Sequence, residues 1–288
     1  MRRNIRDVKL SSPDYIHMKP DQAAEDFLQR IRHYEQAYEP ITEDCTFIKL
    51  INVGKTCEIS KIDNFMQSRI IFYLVNLHIK PRSIFLSRHG ESELNVLGRI
   101  GGDADLSPRG KQFSEMLPSI IKENSKGKLK VWTSTLKRTI QTAQHLEYKK
   151  ESLKALDEID AGVCDGLTYE EIAKQYPEDF AARDLDKYNY RYRGGESYKD
   201  LVYRLEPVIM ELERQEDVLI IGHQAVLRAV YAYFMHLKQE DLPYIQIPLH
   251  TVIKLSPRPY GCNEKRFNAH IPAVDTHRKK PQIPGEIQ

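Results

Sequence analysis

The sequence has 288 residues, of which 41% are apolar and 29% charged, and its 43 Lys and Arg against 41 Asp and Glu give a net charge of +2. These values are typical of a globular chain with a sizeable core, and the balance of charge provides no strong field for nucleic acid or an anionic membrane. No run approaches the ~20 apolar residues of a membrane helix, and the N-terminus lacks the apolar segment of a signal peptide. We therefore expect a cytoplasmic protein with neither a nucleic-acid nor a membrane partner.

Four cysteines are scattered along the chain, at Cys45, Cys57, Cys164 and Cys262, and none forms a CxxC pair. This spacing predicts neither a disulfide framework nor a zinc site, and it fits a reducing compartment. No metal site is expected.

The first 80 residues predict a small extension of helices and strands. Apolar residues recur at helical spacing between Asp21 and Pro40, and again over 62–77 before Pro81. Between these helices, 46–53 and 57–59 have the pattern of two strands. Gly54-Lys55-Thr56 has the ending of a P-loop, but Lys49 stands where that motif requires an earlier glycine, so we interpret the segment as a turn.

From residue 82 onward, apolar runs and amphipathic segments alternate. Strands are predicted at 84–86, 128–133, 217–221 and 251–255, and helices at 108–121, 136–146, 168–175, 201–212 and 225–237. This alternation predicts a three-layer α/β fold, in which a mostly parallel sheet has helices on both faces. Ligands of such sheets bind outside the carboxyl ends of the strands. The proline-rich and basic tail from 271 is predicted to be disordered.

Two of the predicted strands end in a histidine beside a glycine, at Arg88-His89-Gly90 and at Gly222-His223-Gln224. A neutral imidazole can attack phosphorus and hold the phosphoryl group covalently, and arginine offers a bidentate fork to phosphate oxygens. A third strand end leads Arg138 into a helix. Singly, each residue fits an ordinary turn or surface position. Together at one sheet edge, they would surround one phosphoryl group and stabilise its transition state.

Phosphoryl transfer from an alcohol also requires a proton donor for the leaving oxygen. Glu158 is the candidate, because it follows a short extended segment and precedes a Gly turn. Asp157 and Asp160 are competitors that spacing alone does not separate from it.

Several motifs together resemble the histidine phosphatase superfamily, which includes cofactor-dependent phosphoglycerate mutase. They are similar in particular to the bisphosphatase half of the bifunctional 6-phosphofructo-2-kinase/fructose-2,6-bisphosphatase family. The motifs are 88–95, 98–102, 137–143, 158–162, 188–193 and 223–226.

The resemblance implies a phosphoglycerate mutase-like fold and a role for each matching residue. His89 would be the nucleophile, and Glu158 would act first as acid and then as base. Arg88, Arg138, Asn95 and His223 would hold the transferred phosphoryl group. The substrate-binding residues would be Gly101, Tyr169, Arg183, Lys187, Tyr198, Gln224 and Arg228. Arg183, Lys187 and Arg228 also make chemical sense together, because a bisphosphate needs a second anion site.

The resemblance further implies hydrolysis of fructose 2,6-bisphosphate to fructose 6-phosphate, which controls glycolysis and gluconeogenesis, without a cofactor. Residues 1–80 would be the C-terminal remnant of a kinase-like domain, 81–260 the phosphatase domain and 261–288 a flexible tail. Kinase activity is not expected, because the P-loop is absent. A homodimer or a kinase domain would be the protein partner. The alternatives are a mutase or broad sugar phosphatase on the same scaffold, and a non-catalytic regulatory module.

Overall fold

The computed structural model describes residues 13–15, 17–41, 44–51, 56–76, 81–258 and 261–281. The chain divides into two compact units, one of Met1–Ile79 with Arg258–Gly261 and the other of Lys80–Pro257 with Cys262–Gln288. Among the helices described, none has the length and apolar character needed to cross a membrane.

The first unit contains the predicted helices and strands. Helix α1 (Pro20–Ala37) precedes strands β1 (Phe47–Ile51) and β2 (Thr56–Ser60), which pair antiparallel, and helix α2 (Phe65–Asn76) follows. Pro20 begins α1, where its missing N–H costs no helical hydrogen bond. The predicted turn at Gly54-Lys55 and the end of the second helix lie outside the described residues.

The rest of the chain alternates strands with helices. The strands are β3 (Ile84–Arg88), β4 (Lys130–Thr133), β5 (Lys149–Ser152), β6 (Val218–Gly222), β7 (Thr251–Arg258) and β8 (Gly261–Asn268). The helices are α3 (Glu93–Val96), α4 (Pro108–Asn124), α5 (Lys137–Ala143), α6 (Tyr169–Gln175), α7 (Pro177–Leu185), α8 (Tyr198–Arg214) and α9 (Gln224–Met235). Short 3-10 turns lie at Pro13–Tyr15, Lys154–Leu156, Gly162–Cys164 and Leu242–Tyr244.

The six strands of the second sheet are ordered β5-β4-β6-β3-β7-β8. The pairs β5–β4, β4–β6 and β6–β3 are parallel, whereas β7 pairs antiparallel with β3. Every residue of β3 and of β6 is buried, as expected for central strands that are covered on both faces. The predicted mostly parallel sheet is confirmed.

Alternate strand residues face two separate cores. Ile84 and Leu86 pack in a cluster with apolar residues of α8 and α9. Phe85 packs instead with Phe113 and Leu117 of α4. Helices therefore cover both faces of the sheet, and the predicted three-layer fold is confirmed.

The structure corrects the predicted flexible tail over residues 261–281, and the end of that tail lies outside the described residues. Residues 261–268 form β8 at the sheet edge, and two hydrogen bonds fix the backbone beyond it. The Val274 N–H donates to Glu91 Oε2 at 2.9 Å, and the Ile271 carbonyl lies 3.1 Å from His250 Nδ1. The composition indicated disorder because the tail is rich in proline, lysine and arginine. The partners that hold it are distant in sequence, so no local pattern indicated them. For similar reasons the sequence did not indicate the edge strand β5 or the polar helix α7.

Gly90 and Gly110 bring the turn after β3 into backbone contact with the first turn of α4. A Cβ on Gly90 would lie 2.5 Å from the Gly110 carbonyl oxygen, and a Cβ on Gly110 would lie 2.1 Å from the Glu91 carbonyl oxygen. Both contacts are with backbone, which cannot rotate away. The Ser107 Oγ accepts a hydrogen bond from the Gly110 N–H and caps the same helix.

This contact predicts that replacing Gly110 by alanine lowers the stability of the fold, which is the opposite of the usual effect in a helix. Gly to Ala inside a helix usually stabilises by about 1 kcal/mol, but Gly110→Ala should destabilise by about 1–3 kcal/mol because of the overlap. Thermal unfolding should show a lower midpoint for this variant. Gly222→Ala is the matched control, since its Cβ would make only ordinary contacts, the nearest at 3.4 Å. A midpoint for Gly110→Ala at or above that of the wild type would contradict the packing described.

Candidate active site

Two histidines lie together at the carboxyl edge of the sheet. Arg88 and Gly222 are partners in the parallel β3–β6 register, and the His89 N–H donates to the Gly222 carbonyl at 3.0 Å. The rings of His89 and His223 therefore lie with their centroids 5.2 Å apart. The two strand ends therefore converge, as the sequence predicts.

One hydrogen bond defines which nitrogen of the His89 ring carries the proton. Its Nδ1 lies 2.7 Å from the Gly90 carbonyl oxygen, which can only accept, so Nδ1 carries the proton and Nε2 keeps its lone pair. Burial, and then the charges of Arg138 and Arg88, lower the pKa of His89 well below its usual value. The imidazole is therefore neutral at pH 7, which is the form that the predicted nucleophile requires.

His223 has no exposed surface. Its Nε2 lies 2.8 Å from the Ser134 Oγ, at the end of β4. Burial is the main cause that lowers the pKa of His223, followed by the charge of Arg138. Among the described residues, nothing hydrogen-bonds to its Nδ1.

Arg88 and Arg138 are the cations beside the histidines, and each is about 4% exposed. Arg88 donates to the Thr276 Oγ1 at 2.7 Å, and Arg138 donates to the Gly102 carbonyl at 2.6 Å. Burial lowers the pKa of Arg88 to about 10, so the guanidinium stays protonated at neutral pH. Its buried Nε has no hydrogen-bond partner within the described part of the chain.

Glu158 lies across the N-terminus of α9. Its Oε2 accepts from the Gln224 N–H at 3.1 Å, and its Oε1 accepts from the Ala225 N–H at 3.3 Å and the Ile159 N–H at 3.0 Å. These three donors fix the position of the Glu158 carboxyl group beside the start of α9. Glu158 also lines the cavity that contains His89.

The competing carboxylates are engaged elsewhere. Asp157 accepts from the N–H and hydroxyl of Thr135 and from Lys154, and Asp160 accepts from the Gly162 N–H. Neither lines the cavity. The geometry therefore favours Glu158 over Asp157 and Asp160 as the proton donor, a choice that the sequence left open.

Most of the predicted site residues line one cavity of about 640 Å³. The predicted residues that line it are Arg88, His89, Asn95, Gly101, Arg138, Glu158, Tyr169, Arg183, Tyr198, Gln224 and Arg228. His223 and Lys187 are not among the lining residues. His223 lies against His89, whereas Lys187 is buried and donates to the Pro243 carbonyl at 3.0 Å.

Two further cations, Arg183 and Arg228, line the same cavity. Arg183 donates to the Tyr192 hydroxyl at 2.9 Å and to the Tyr169 hydroxyl at 3.2 Å. Arg228 donates to the Tyr198 hydroxyl at 2.8 Å. Its buried second terminal nitrogen has no hydrogen-bond partner in the described residues. Such orphan donors fit an anion that would accept from them.

The sequence missed one wall of the cavity. Residues Asp275, Thr276, His277 and Arg278 line it, although they lie in the segment that was predicted to be disordered. Their placement depends on hydrogen bonds to residues more than 180 positions earlier, and no local pattern reports such contacts.

A mostly parallel sheet with two histidines, two buried arginines and a carboxyl group at its carboxyl edge is the arrangement expected of a phosphoryl-transfer site. The family comparison agrees, because residues 84–270 match the model of the histidine phosphatase superfamily (branch 1). The chain belongs to that superfamily. Residues 1–81 match the model of 6-phosphofructo-2-kinase.

Individual relatives extend this result. The chain is 59% identical to a fructose-2,6-bisphosphatase of Saccharomyces cerevisiae, over 96% of this chain and 62% of that protein. It is 55% identical to human 6-phosphofructo-2-kinase/fructose-2,6-bisphosphatase 4, over 97% of this chain and 60% of the relative. The chain thus spans about three fifths of the length of the curated relatives it matches. The resemblance stated from the motifs is confirmed.

Solved structures share the fold at low identity. An alpha-ribazole phosphatase from Shigella flexneri superposes with a TM-score of 0.58 and 21% identity, over 67% of this chain and 99% of that one. A mycobacterial glucosyl-3-phosphoglycerate phosphatase gives a TM-score of 0.53 at 22% identity, over 62% of this chain and 91% of that one. These likenesses concern the fold alone.

The environment of Lys187 predicts a pH-dependent stability. Burial, and then the charges of Arg183 and Arg228, lower the pKa of Lys187 from 10.5 to about 6. Between these values the unfolded chain binds one proton more at this position, so the free energy of unfolding rises with pH, by up to about 1.4 kcal/mol per pH unit.

Lys187→Met should remove this contribution. Denaturant unfolding at pH 6.5 and pH 8.5 should show a smaller gain in stability at the higher pH for the variant than for the wild type. Lys199→Met, at an exposed position of α8, is the matched control and should keep the wild-type gain. Equal gains in Lys187→Met and the wild type would refute the lowered pKa.

Proposed function

We propose that this chain hydrolyses fructose 2,6-bisphosphate to fructose 6-phosphate and inorganic phosphate, with His89 as the residue that is transiently phosphorylated. The observation that carries the proposal is that two buried arginines in one cavity keep hydrogen-bond donors without partners among the described residues. Arg88 beside His89 and Arg228 beside Tyr198 each keep a buried nitrogen without a partner among the described residues. A bisphosphate sugar offers one phosphate to each site, and the names of the relatives agree with that substrate.

In the first step, the Nε2 of His89 attacks the phosphorus of the 2-phosphate. The bond between phosphorus and the sugar 2-oxygen breaks, and Glu158 gives its proton to that oxygen. Arg88, Arg138, Asn95 and His223 hold the phosphoryl group and neutralise the charge on its oxygens. Fructose 6-phosphate then leaves.

In the second step, the Glu158 carboxylate takes a proton from water as the water attacks the phosphohistidine. The bond between His89 and phosphorus breaks, inorganic phosphate leaves, and Glu158 is again protonated. One carboxyl group therefore serves as acid and as base. Gly101, Tyr169, Arg183, Tyr198, Gln224 and Arg228, which line the cavity, bind the sugar and its 6-phosphate. The predicted contact of Lys187 with that phosphate stays a prediction, because Lys187 is buried against the Pro243 carbonyl.

We also propose that residues 1–80 are the remnant of the C-terminal part of a kinase-like domain and that the phosphatase domain begins near residue 81. The match of residues 1–81 to the kinase family supports this division. So does α2, where Phe65 is 75% and Met66 66% exposed, since a larger domain would cover such a surface. A kinase domain or a second copy of the chain would be the partner. The expected location is the cytoplasm, and we expect no kinase activity from this chain.

The reaction can be tested with fructose 2,6-bisphosphate labelled in the 2-phosphate. Label should appear in inorganic phosphate, and an alkaline quench should trap acid-labile label on the protein. Transfer of label to a second sugar phosphate would instead indicate a mutase. Neither turnover nor labelled protein would indicate a binding module.

The role of Glu158 predicts a defect in chemistry with little loss of binding. Glu158→Gln keeps an oxygen that can accept from Ile159 and Ala225 but cannot transfer a proton. Its kcat should fall by about 10² to 10⁴-fold, while KM stays within about threefold.

Asp160→Asn is the matched control, because its remaining oxygen can still accept from Gly162, and its turnover should stay near that of the wild type. Unfolding midpoints would verify that both variants are folded. Near-normal turnover in Glu158→Gln would show that another residue is the proton donor. A large loss of turnover in Asp157→Asn would then identify Asp157 as that residue.

A further inference from the structure

The segment 274–278 is anchored on the nucleophile side of the cavity. The Val274 N–H donates to Glu91 Oε2, two residues beyond His89, at 2.9 Å. The Thr276 Oγ1 accepts from Arg88 at 2.7 Å. These bonds fix the direction of the chain that leads to Arg278.

Arg278 is held by contacts on several sides. Its guanidinium lies 4.4 Å from the ring centroid of Phe180 and 5.3 Å from that of Tyr169. One terminal nitrogen forms an ion pair with Asp184. A guanidinium that stacks on aromatic faces and pairs with a carboxylate has a defined orientation.

The other terminal nitrogen of Arg278 is buried and has no hydrogen-bond partner among the described residues. Arg278 lines the same cavity as Arg183 and Arg228. Arg183 stacks on the same Tyr169 ring, at 5.1 Å, and Arg228 also keeps an orphan nitrogen. The charge of Arg278 is also one of the causes that lower the pKa of Lys187, after burial, Arg183 and Arg228.

We propose that Arg278 is a further ligand of the phosphate that does not react, so that the segment after β8 completes the second anion site. The inference deepens the proposed function and rests on it for the identity of the bisphosphate. It assigns to Arg278 a direct contact with the anion, in addition to its ion pair with Asp184. A segment that only closed the cavity would affect both phosphate sites alike.

The test compares Arg278→Met with Arg278→Lys. Met keeps the length and apolar packing against Phe180 and Tyr169 but removes the charge, whereas Lys keeps the charge without the planar fork. Arg214→Ala, which removes an exposed arginine at the end of α8, is the control for net charge. Each protein is titrated calorimetrically with fructose 6-phosphate, a probe of the second site, and with orthovanadate, a probe of the site beside His89.

Arg278→Met should bind fructose 6-phosphate about 10- to 100-fold more weakly, as expected for the loss of a hydrogen bond to a charged group, and orthovanadate with unchanged affinity. Arg278→Lys should recover part of the loss, and Arg214→Ala should match the wild type. In turnover, KM for fructose 2,6-bisphosphate should rise by the same factor in Arg278→Met while kcat stays within about threefold.

Two results would overturn the assignment. Unchanged affinity for fructose 6-phosphate in Arg278→Met would show that Arg278 does not contact the anion. Parallel losses for both probes would show that the segment only closes the cavity. Wild-type protein that binds fructose 6-phosphate but does not hydrolyse the bisphosphate would defeat the proposed function, and the calorimetric comparison would still decide the role of Arg278.

Discussion

The site depends on one strand pairing, the parallel register of β3 and β6. Because Arg88 is level with Gly222, the next residue on each strand is a histidine, and both imidazoles emerge at the same edge. A shift of one residue would exchange the two faces of a strand, and these strands are buried throughout. Core packing on both faces therefore fixes the distance between the histidines. Arg138 arrives at the same edge because β4 pairs in parallel with β6.

The ionisable groups in and beside the cavity are buried at a cost to folding. Burial lowers the pKa of Arg88, His89, Arg138, Lys187 and His223, which means that the fold disfavours the charged forms of these groups. The Arg88 Nε and the His223 Nδ1 also lack hydrogen-bond partners among the described residues. An anionic ligand would supply both the missing charge and the missing acceptors, so its binding should stabilise the fold. The extensive apolar cores on the two faces of the sheet support this arrangement.

The parts of the fold that are encoded locally could be predicted from the sequence. Apolar runs that end in Arg88-His89-Gly90 and Gly222-His223 predicted the strand ends, and parallel pairing then brought them together. Nothing local distinguished Glu158 from Asp157, because the difference lies in contacts: Asp157 is bound by Thr135 and Lys154, whereas Glu158 accepts from the start of α9. The position of Arg278 in the cavity could not be predicted from the sequence for the same reason. Its segment is rich in proline and charge, and only distant partners such as Glu91 hold it in place.

The assignment of the nucleophile is the central claim, and mapping the phosphorylated histidine tests it most directly. Protein quenched in alkali after brief exposure to fructose 2,6-bisphosphate can be digested and its peptides sequenced by mass spectrometry. The neutral, Nδ1-protonated imidazole of His89 predicts phosphate on the peptide that contains His89, and none on that peptide in His89→Asn. Phosphate on His223, or wild-type labelling in His89→Asn, would contradict the account.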